Sequence, residues 1–310
     1  MLPAHEPAGA RGGVRVRHAH AHAPASRAVA ADERRVDLHA HTVVSDGTLT
    51  PAQLVQLAAR KGLAALALTD HDHLGGIDEA RREGERLGVE VLAGVELSVA
   101  HRGEDVHVLG YLVDPREERL AARLAQLRVE RAARGRRIVE RLQALGVDIR
   151  LEDLPPAQSV GRPHVARALV DKRIVSSVQE AFERWLGDGR PAFVPKAKMD
   201  AAEALALVHG AGGVAVVAHP GLLSERRYAI VRELAALGLD GVEVEHSRHT
   251  SEERRRLREL ARELGLVETG GSDFHGENKP DVDLGYGHGG NVRVTYDVVT
   301  ALRERAAARR

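Results

Sequence analysis

The sequence predicts an α/β protein folded as a distorted (β/α)7 barrel that is interrupted by a mostly helical insertion. Three observations predict it. From Arg35 onward, short apolar runs alternate with amphipathic helical segments, the signature of a parallel sheet with crossover helices. Between residues 114 and 210 that alternation stops and the pattern becomes helical and heavily charged. Ionisable residues also gather at the ends of the apolar runs, as they do at the C-terminal mouth of a closed barrel.

Seven segments read as strands. They are VDLHAH (36–41), LAALALTDHD (63–72), VEVLAGVEL (89–97), VHVLGYLV (106–113), GGVAVVAHP (212–220), GVEVEH (241–246) and LVETGGSDFH (266–275). Helices fall between them at 50–62, 76–88 and 251–265. Thr50 before Pro51 is an N-cap followed by a helix-compatible proline, and Gly62 and Gly88 stand where helices end. The organisation expected is a disordered extension (1–34), a first barrel part (35–113), the insertion as a substrate cap (114–210), a second barrel part (211–300) and a basic C-terminal tail (301–310).

Composition narrows the class. The 45 basic and 45 acidic residues cancel, so no global field attracts nucleic acid or membrane, and an anionic substrate must be attracted locally. Cysteine is absent, which excludes disulfides and thiolate metal sites. No run reaches the roughly 18 apolar residues of a membrane span, and no signal-peptide core opens the chain, so a soluble, cytoplasmic protein is expected, monomeric and without a stable protein partner. Of 17 histidines, three lie in HAHAHAP (18–24), within a stretch that lacks any hydrophobic period. That stretch reads as an inert extension or a misplaced start, and removing residues 1–32 is expected to leave activity intact.

The remaining histidines carry more information. His39 and His41 stand two apart on one strand, so both side chains point to the same face. Asp46 follows in SDG, His71 ends the second strand, Glu96 ends the third, His107 lies in VHVLGY, His219 ends GGVAVVAH, and Asp273 and His275 close TGGSDFH. Ionisable groups are costly to bury unless paired or metal-bound, so a ring of nine at one mouth implies cations. Imidazole and carboxylate ligands suit Zn, Mn or Fe(II). Asp70, Asp72 and His73 read as loop residues or as supports for the neighbouring ligands, and Glu243, Glu245 and His246 as structural rim residues. Arg131, Arg134, Arg136 and Arg137 read mainly as a solvated helix face, with a cleft lining as the alternative, in which Arg134 is the candidate substrate contact. No Gly-x-Ser-x-Gly elbow or phosphate loop is present, and no Gly-x-Gly-x-x-Gly follows the first strand.

Taken in order, HAHTVVSDG, LTDHD, GVELS, HVLGY, GRPH, AHP and GSDFHG resemble the motif series of the PHP (polymerase and histidinol phosphatase) family, most of all its TrpH-like branch. The resemblance spans about residues 35–290 and implies a TIM-like barrel carrying three divalent ions. One ion would be held by His39, His41, Glu96 and Asp273, a second by Glu96, His107 and His219, and a third by Asp46, His71 and His275. Asp273, Glu96 and His275 would then be the catalytic residues, and cations there would acidify water and offset phosphoryl charge. Arg162 and His164 of GRPH would grip substrate phosphate. The branch implies removal of the 3′-phosphate from nucleoside 3′,5′-bisphosphates, or 5′-to-3′ trimming of short 5′-phosphorylated RNA or DNA. The alternatives are a histidinol-phosphatase-like enzyme acting on a small metabolite and a non-catalytic accessory module.

Overall fold

The computed structural model describes residues 32–154 and 161–309; the histidine tract at 18–24 lies outside them. The first half of the barrel comprises β1 (Arg35–Ala40), α1 (Pro51–Arg60), β2 (Ala65–Leu68), α2 (Ile77–Leu87), β3 (Glu90–His101) and β4 (Glu104–Tyr111). The inserted region follows with α3 (Glu118–Ala144), α4 (Arg162–Asp171), α5 (Val178–Ala181) and β5 (Met199–Asp200). The barrel resumes with α6 (Ala201–Gly210), β6 (Val214–Val217), α7 (Arg227–Ala236), β7 (Gly241–His246), α8 (Ser251–Leu264) and β8 (Val267–Gly271). Three two-residue strands, β9 (Val282–Asp283), β10 (Gly287–His288) and β11 (Val294–Thr295), lead to α9 (Asp297–Ala307).

The strands run in the order β1-β2-β3-β4-β6-β7-β8, with β11 antiparallel on β1 and β5 parallel on β3. The circle closes where Asp273 N–H donates to His39 O at 2.8 Å and His41 N–H to Phe274 O at 2.9 Å. Gly271 permits that closure: a Cβ there would stand 2.3 Å from His39 N. Helix ends follow their local chemistry. Thr50 with Gln53 and Thr250 with Glu253 form capping boxes, and Gly88 and Gly265 end their helices in the left-handed conformation at φ 73° and 64°.

Three expectations are corrected. Not all seven strands are parallel: β4 is antiparallel to both β3 and β6. Arg102 and Gly103, at φ 48° and 85°, make a tight hairpin of the kind that joins only antiparallel strands. The insertion ends earlier than residue 210, because α6 packs on β3 and β6 as an ordinary crossover helix. The last residues are no simple tail, since α9 runs to Ala307 and buries Val299, Leu302 and Ala306.

Those three side chains join Val36, Leu38, Ala65, Ala67, Leu92, Tyr111, Val214 and Val216 in one apolar cluster. Its members lie on β1, β2, β3, β4 and β6, and α9 reaches residues at or just before strand starts, where Arg303 pairs with Glu90, Arg305 donates to Gly265 O and Arg309 pairs with Asp240 at 2.6 Å. Helix α9 therefore plugs the barrel end opposite the strand C-termini. Helix α3 joins two cores: Leu120, Leu124 and Leu127 pack into the barrel's outer layer, whereas Ile138, Val139 and Leu142 pack against Val165, Leu169 and Leu186 of the inserted region. Between them, on the same buried stripe, lie Arg131 and Arg134.

Candidate metal centre

All nine ligand candidates converge at the barrel mouth. His39 and His41 leave β1, His71 and Glu96 meet through a parallel bridge between the end of β2 and β3, and His219 follows β6. His107 arrives from the N-terminal half of β4, and its carbonyl accepts Ala218 N–H at 2.9 Å, which places it beside His219. Reversal of β4 thus delivers His107 to the same mouth. Asp273 and His275 follow β8. Asp46 lies in a loop tied down by Asp70, which accepts from Thr42 N at 2.8 Å, Thr42 Oγ1 at 2.7 Å and Ser45 Oγ at 2.6 Å. Asp37 performs the same task for the β8 end, accepting from Ser272 N at 2.9 Å and Gly285 N at 2.7 Å.

Glu96 is the hub. Its Oε2 lies 3.2 Å from His41 Nε2, 3.2 Å from His71 Nδ1 and 3.4 Å from His39 Nε2, and its Oε1 lies 2.6 Å from His107 Nδ1 and 3.0 Å from His219 Nε2. Asp273 Oδ1 is 3.4 Å from His41 Nε2, and Asp46 Oδ1 is 3.3 Å from His275 Nε2. His41 Nε2, His71 Nδ1, His107 Nδ1 and His219 Nδ1 are nonetheless buried without any hydrogen bond. Donors about 2.1 Å from one ion lie about 3.0 Å apart in octahedral geometry and about 3.4 Å in tetrahedral. Misaligned N···O pairs at these separations fit the edges of coordination polyhedra, and the orphaned nitrogens fit ligands. Four sets of donor atoms lie within 4.8 Å of one another: His41, Asp46, His71 and His275; His39, His41 and Asp273; His39, Glu96 and His219; His71, Glu96 and His107.

The electrostatics agree. Burial lowers the pKa of His39 and His41, but Glu243, Glu96 and Asp273 outweigh it at His39, and Asp273, Glu96 and Asp46 raise His41 to about 9. Burial would raise Glu96, Asp46 and Asp273, yet histidines, and Lys279 at Asp273, hold all three well below the carboxylate range. His71 falls well below its usual value, chiefly through burial. Two protonated imidazoles among ionised carboxylates are charges that divalent cations can replace. Two site residues, His219 and Asp273, hold positive φ of 29° and 58°, backbone strain of the kind found at functional sites.

Arg131, Arg134, Arg162 and Lys196 face the cluster across a cleft of about 310 Å³, which Asp46, His71, His107 and His219 also line. Arg131 is buried, 3.9 Å from Asp46 and 3.7 Å from Asp72, and its Nε and Nη1 lack hydrogen-bond partners. Burial, then Arg162 and Arg131, lower Arg134 to about 10. Arg162 sits against the rings of Phe182 and Phe193, 5.6 and 5.5 Å from their centroids, and pairs with Asp188 at 2.8 Å. His164 turns Nδ1 back to Gly161 N at 3.0 Å and lines a neighbouring pocket with Arg167. Arg136 and Arg137 are exposed. A second opening of about 510 Å³ leads from Asp46, His71 and His275 past Phe182 to Arg248 and Lys279.

Several residues whose sequence pattern left them as loop, support or rim lie against the site. Asp72 accepts Ser98 N and Oγ, each at 3.0 Å, and lies 3.7 Å from Lys196. Glu243 is fully buried against His39, and His246 Nε2 is 3.4 Å from Asp273. Glu245 alone stays at the rim, paired with Arg258.

Barrel and cluster together define a metal-dependent phosphoesterase, a hydrolase. Residues 37–148 match the PHP domain model. The chain is 36% identical over 258 residues to a 3′,5′-nucleoside bisphosphate phosphatase of Chromobacterium violaceum, covering 81% of this chain and 90% of that protein. It is 34% identical over 247 residues to a 5′-3′ exoribonuclease of Haemophilus influenzae, covering 78% and 90%. A crystal structure from Bifidobacterium adolescentis, assigned as a metal-dependent phosphoesterase, superposes with a TM-score of 0.80 at 35% identity, covering 89% of this chain and 97% of that one. The chain belongs to the PHP-domain family. No helix among the described residues is long and apolar enough to cross a membrane.

Proposed function

We propose that this protein hydrolyses phosphoesters of nucleotides, removing the 3′-phosphate of nucleoside 3′,5′-bisphosphates and trimming short 5′-phosphorylated RNA or DNA from the 5′ end. The observation that carries the reading is the two-walled cleft, in which the cluster of candidate metal ligands faces Arg131, buried with two unpartnered nitrogens, beside Arg134, Arg162 and Lys196. Three divalent ions would be held as the family pattern divides the nine residues, with Glu96 shared between two of them. Held there, such ions supply Lewis acidity toward water and a phosphoryl group.

The chain's own residues account for the remaining steps. Arg131, Arg134, Arg162 and Lys196 attract and orient phosphate, with the planar guanidinium groups matching its oxygens. Holding these charges in a partly dry cleft strengthens them relative to water and spends little reorganisation on an anionic transition state. The opening toward Phe182, Arg248 and Lys279 gives a nucleoside or the next nucleotide a place beyond the reacting phosphate, which a histidinol-phosphate enzyme would not need.

Phosphate release from adenosine 3′,5′-bisphosphate, AMP and histidinol phosphate, and release of nucleoside 5′-monophosphate from a 5′-phosphorylated RNA pentamer, each with Mn-loaded protein, test the proposal. Turnover of the bisphosphate and the pentamer supports it. Turnover of histidinol phosphate alone would replace it with the small-metabolite reading.

A further inference from the structure

Strand β7 contributes no residue to any set of donor atoms at the centre, yet Glu243 on that strand is 0% exposed and touches two of the proposed ligands. Its Oε1 lies 2.9 Å from His39 Nδ1 on β1, and its Oε2 accepts the backbone N–H of His219, after β6, at 2.7 Å. On the opposite edge of the His39 ring, Nε2 faces Glu96 Oε2 at 3.4 Å and Asp273 Oδ1 at 3.6 Å.

A carboxylate only accepts, so Nδ1 must carry the proton shared with Glu243, and Nε2, once metal displaces its own proton, is the nitrogen that offers a lone pair to the cluster. The same carboxylate holds the His219 backbone at φ 29°, a conformation that side-chain-bearing residues rarely adopt.

We propose that Glu243 is a positioning residue that fixes the ligating tautomer of His39 and the backbone setting of His219, so that β7 governs how two other strands present their imidazoles to the metal. The proposal rests on reading His39 and His219 as ligands. It makes a prediction that separates orientation from space filling. Glu243→Gln keeps size and shape but exchanges one acceptor for a donor. With the amide oxygen toward His219 N–H, its NH2 points at His39 Nδ1 and forces the proton onto Nε2, on the metal side. With the amide flipped, NH2 opposes the His219 N–H. Neither arrangement reproduces the native polarity.

Wild type, Glu243→Gln, Glu243→Ala and His39→Ala are stripped with chelator and titrated with Mn, and bound metal is measured by mass spectrometry and calorimetry. Folding is checked by far-UV circular dichroism, and the His39 tautomer is read by two-dimensional 15N NMR on the Zn-loaded proteins. The expected result is 10–100-fold weaker metal binding in a folded Glu243→Gln, with Nδ1–H lost from His39. If Glu243→Gln binds metal as wild type does while His39→Ala loses it, Glu243 merely fills space and the proposal is overturned. If His39→Ala also binds as wild type, His39 is no ligand and the premise itself falls. Should Glu243→Gln fail to fold, Glu243→Ala is judged by the same criterion.

Discussion

Metal binding at this centre must expel protons, and the extent can be worked out from His41. Burial opposes its charge, but Asp273, Glu96 and Asp46 raise its pKa to about 9, so at pH 7 the metal-free imidazole carries a proton. A ligand nitrogen has to be neutral. The sign follows: protons compete with metal below about pH 9, affinity rises as pH rises toward that value, and the effect levels off above it. Two pH units at ~1.36 kcal/mol each give about 2.7 kcal/mol, or ~100-fold weaker binding at pH 7 than on the plateau. His39, raised well above its usual value, adds a second proton. The expected slope of log affinity against pH is therefore between about one and two from pH 6 to pH 8. Calorimetry in buffers of different ionisation enthalpy counts the protons released. Affinity independent of pH over that range, with no proton released, would refute the reasoning.

Three further outcomes are expected. Arg131→Met, which keeps much of the buried stem but removes the charge, should lower kcat/KM for the bisphosphate by about 10- to 150-fold, since a hydrogen bond to a charged group is worth about 1.5–3 kcal/mol; unchanged kinetics would remove Arg131 from the substrate wall. Arg162→Ala should raise KM or lower kcat about tenfold or more, and an unaltered steady state would show that its contacts with Phe182, Phe193 and Asp188 are purely structural. Gly271→Ala places a Cβ 2.3 Å from His39 N, and overpacking against backbone should cost about 3 kcal/mol. A wild-type melting temperature for that variant would contradict the closure of the barrel between β8 and β1.

Much of this was legible in the sequence because ligands at strand ends leave a local signal: a histidine or carboxylate interrupting an apolar run. Seven strand cores and eight of the nine ligand candidates follow from that signal, while Asp46 stands apart in the SDG loop. The direction of β4 was also open to reading. Only eight residues separate the segments 89–97 and 106–113, too few for a helical crossover, and Arg102-Gly103 is a tight-turn pair. The buried arginines were hidden by their charge, although their spacing betrays them: 120, 124, 127, 131, 134 and 138 follow one helical stripe, and both arginines lie on it. Glu243 left no comparable mark. Its partners, His39 and His219, are 204 and 24 residues away, and only the folded chain brings the three together.

This cluster is expected to hydrolyse phosphoesters only when it holds metal. Chelator-stripped protein titrated with Mn, with bound ions counted and phosphate release from adenosine 3′,5′-bisphosphate followed at each step, tests it directly beside a His39→Ala, Asp273→Ala double variant. No turnover is expected without metal, turnover should grow as the sites fill, and the double variant should show none at any metal concentration. Turnover by the stripped protein, or by the double variant, would contradict that expectation.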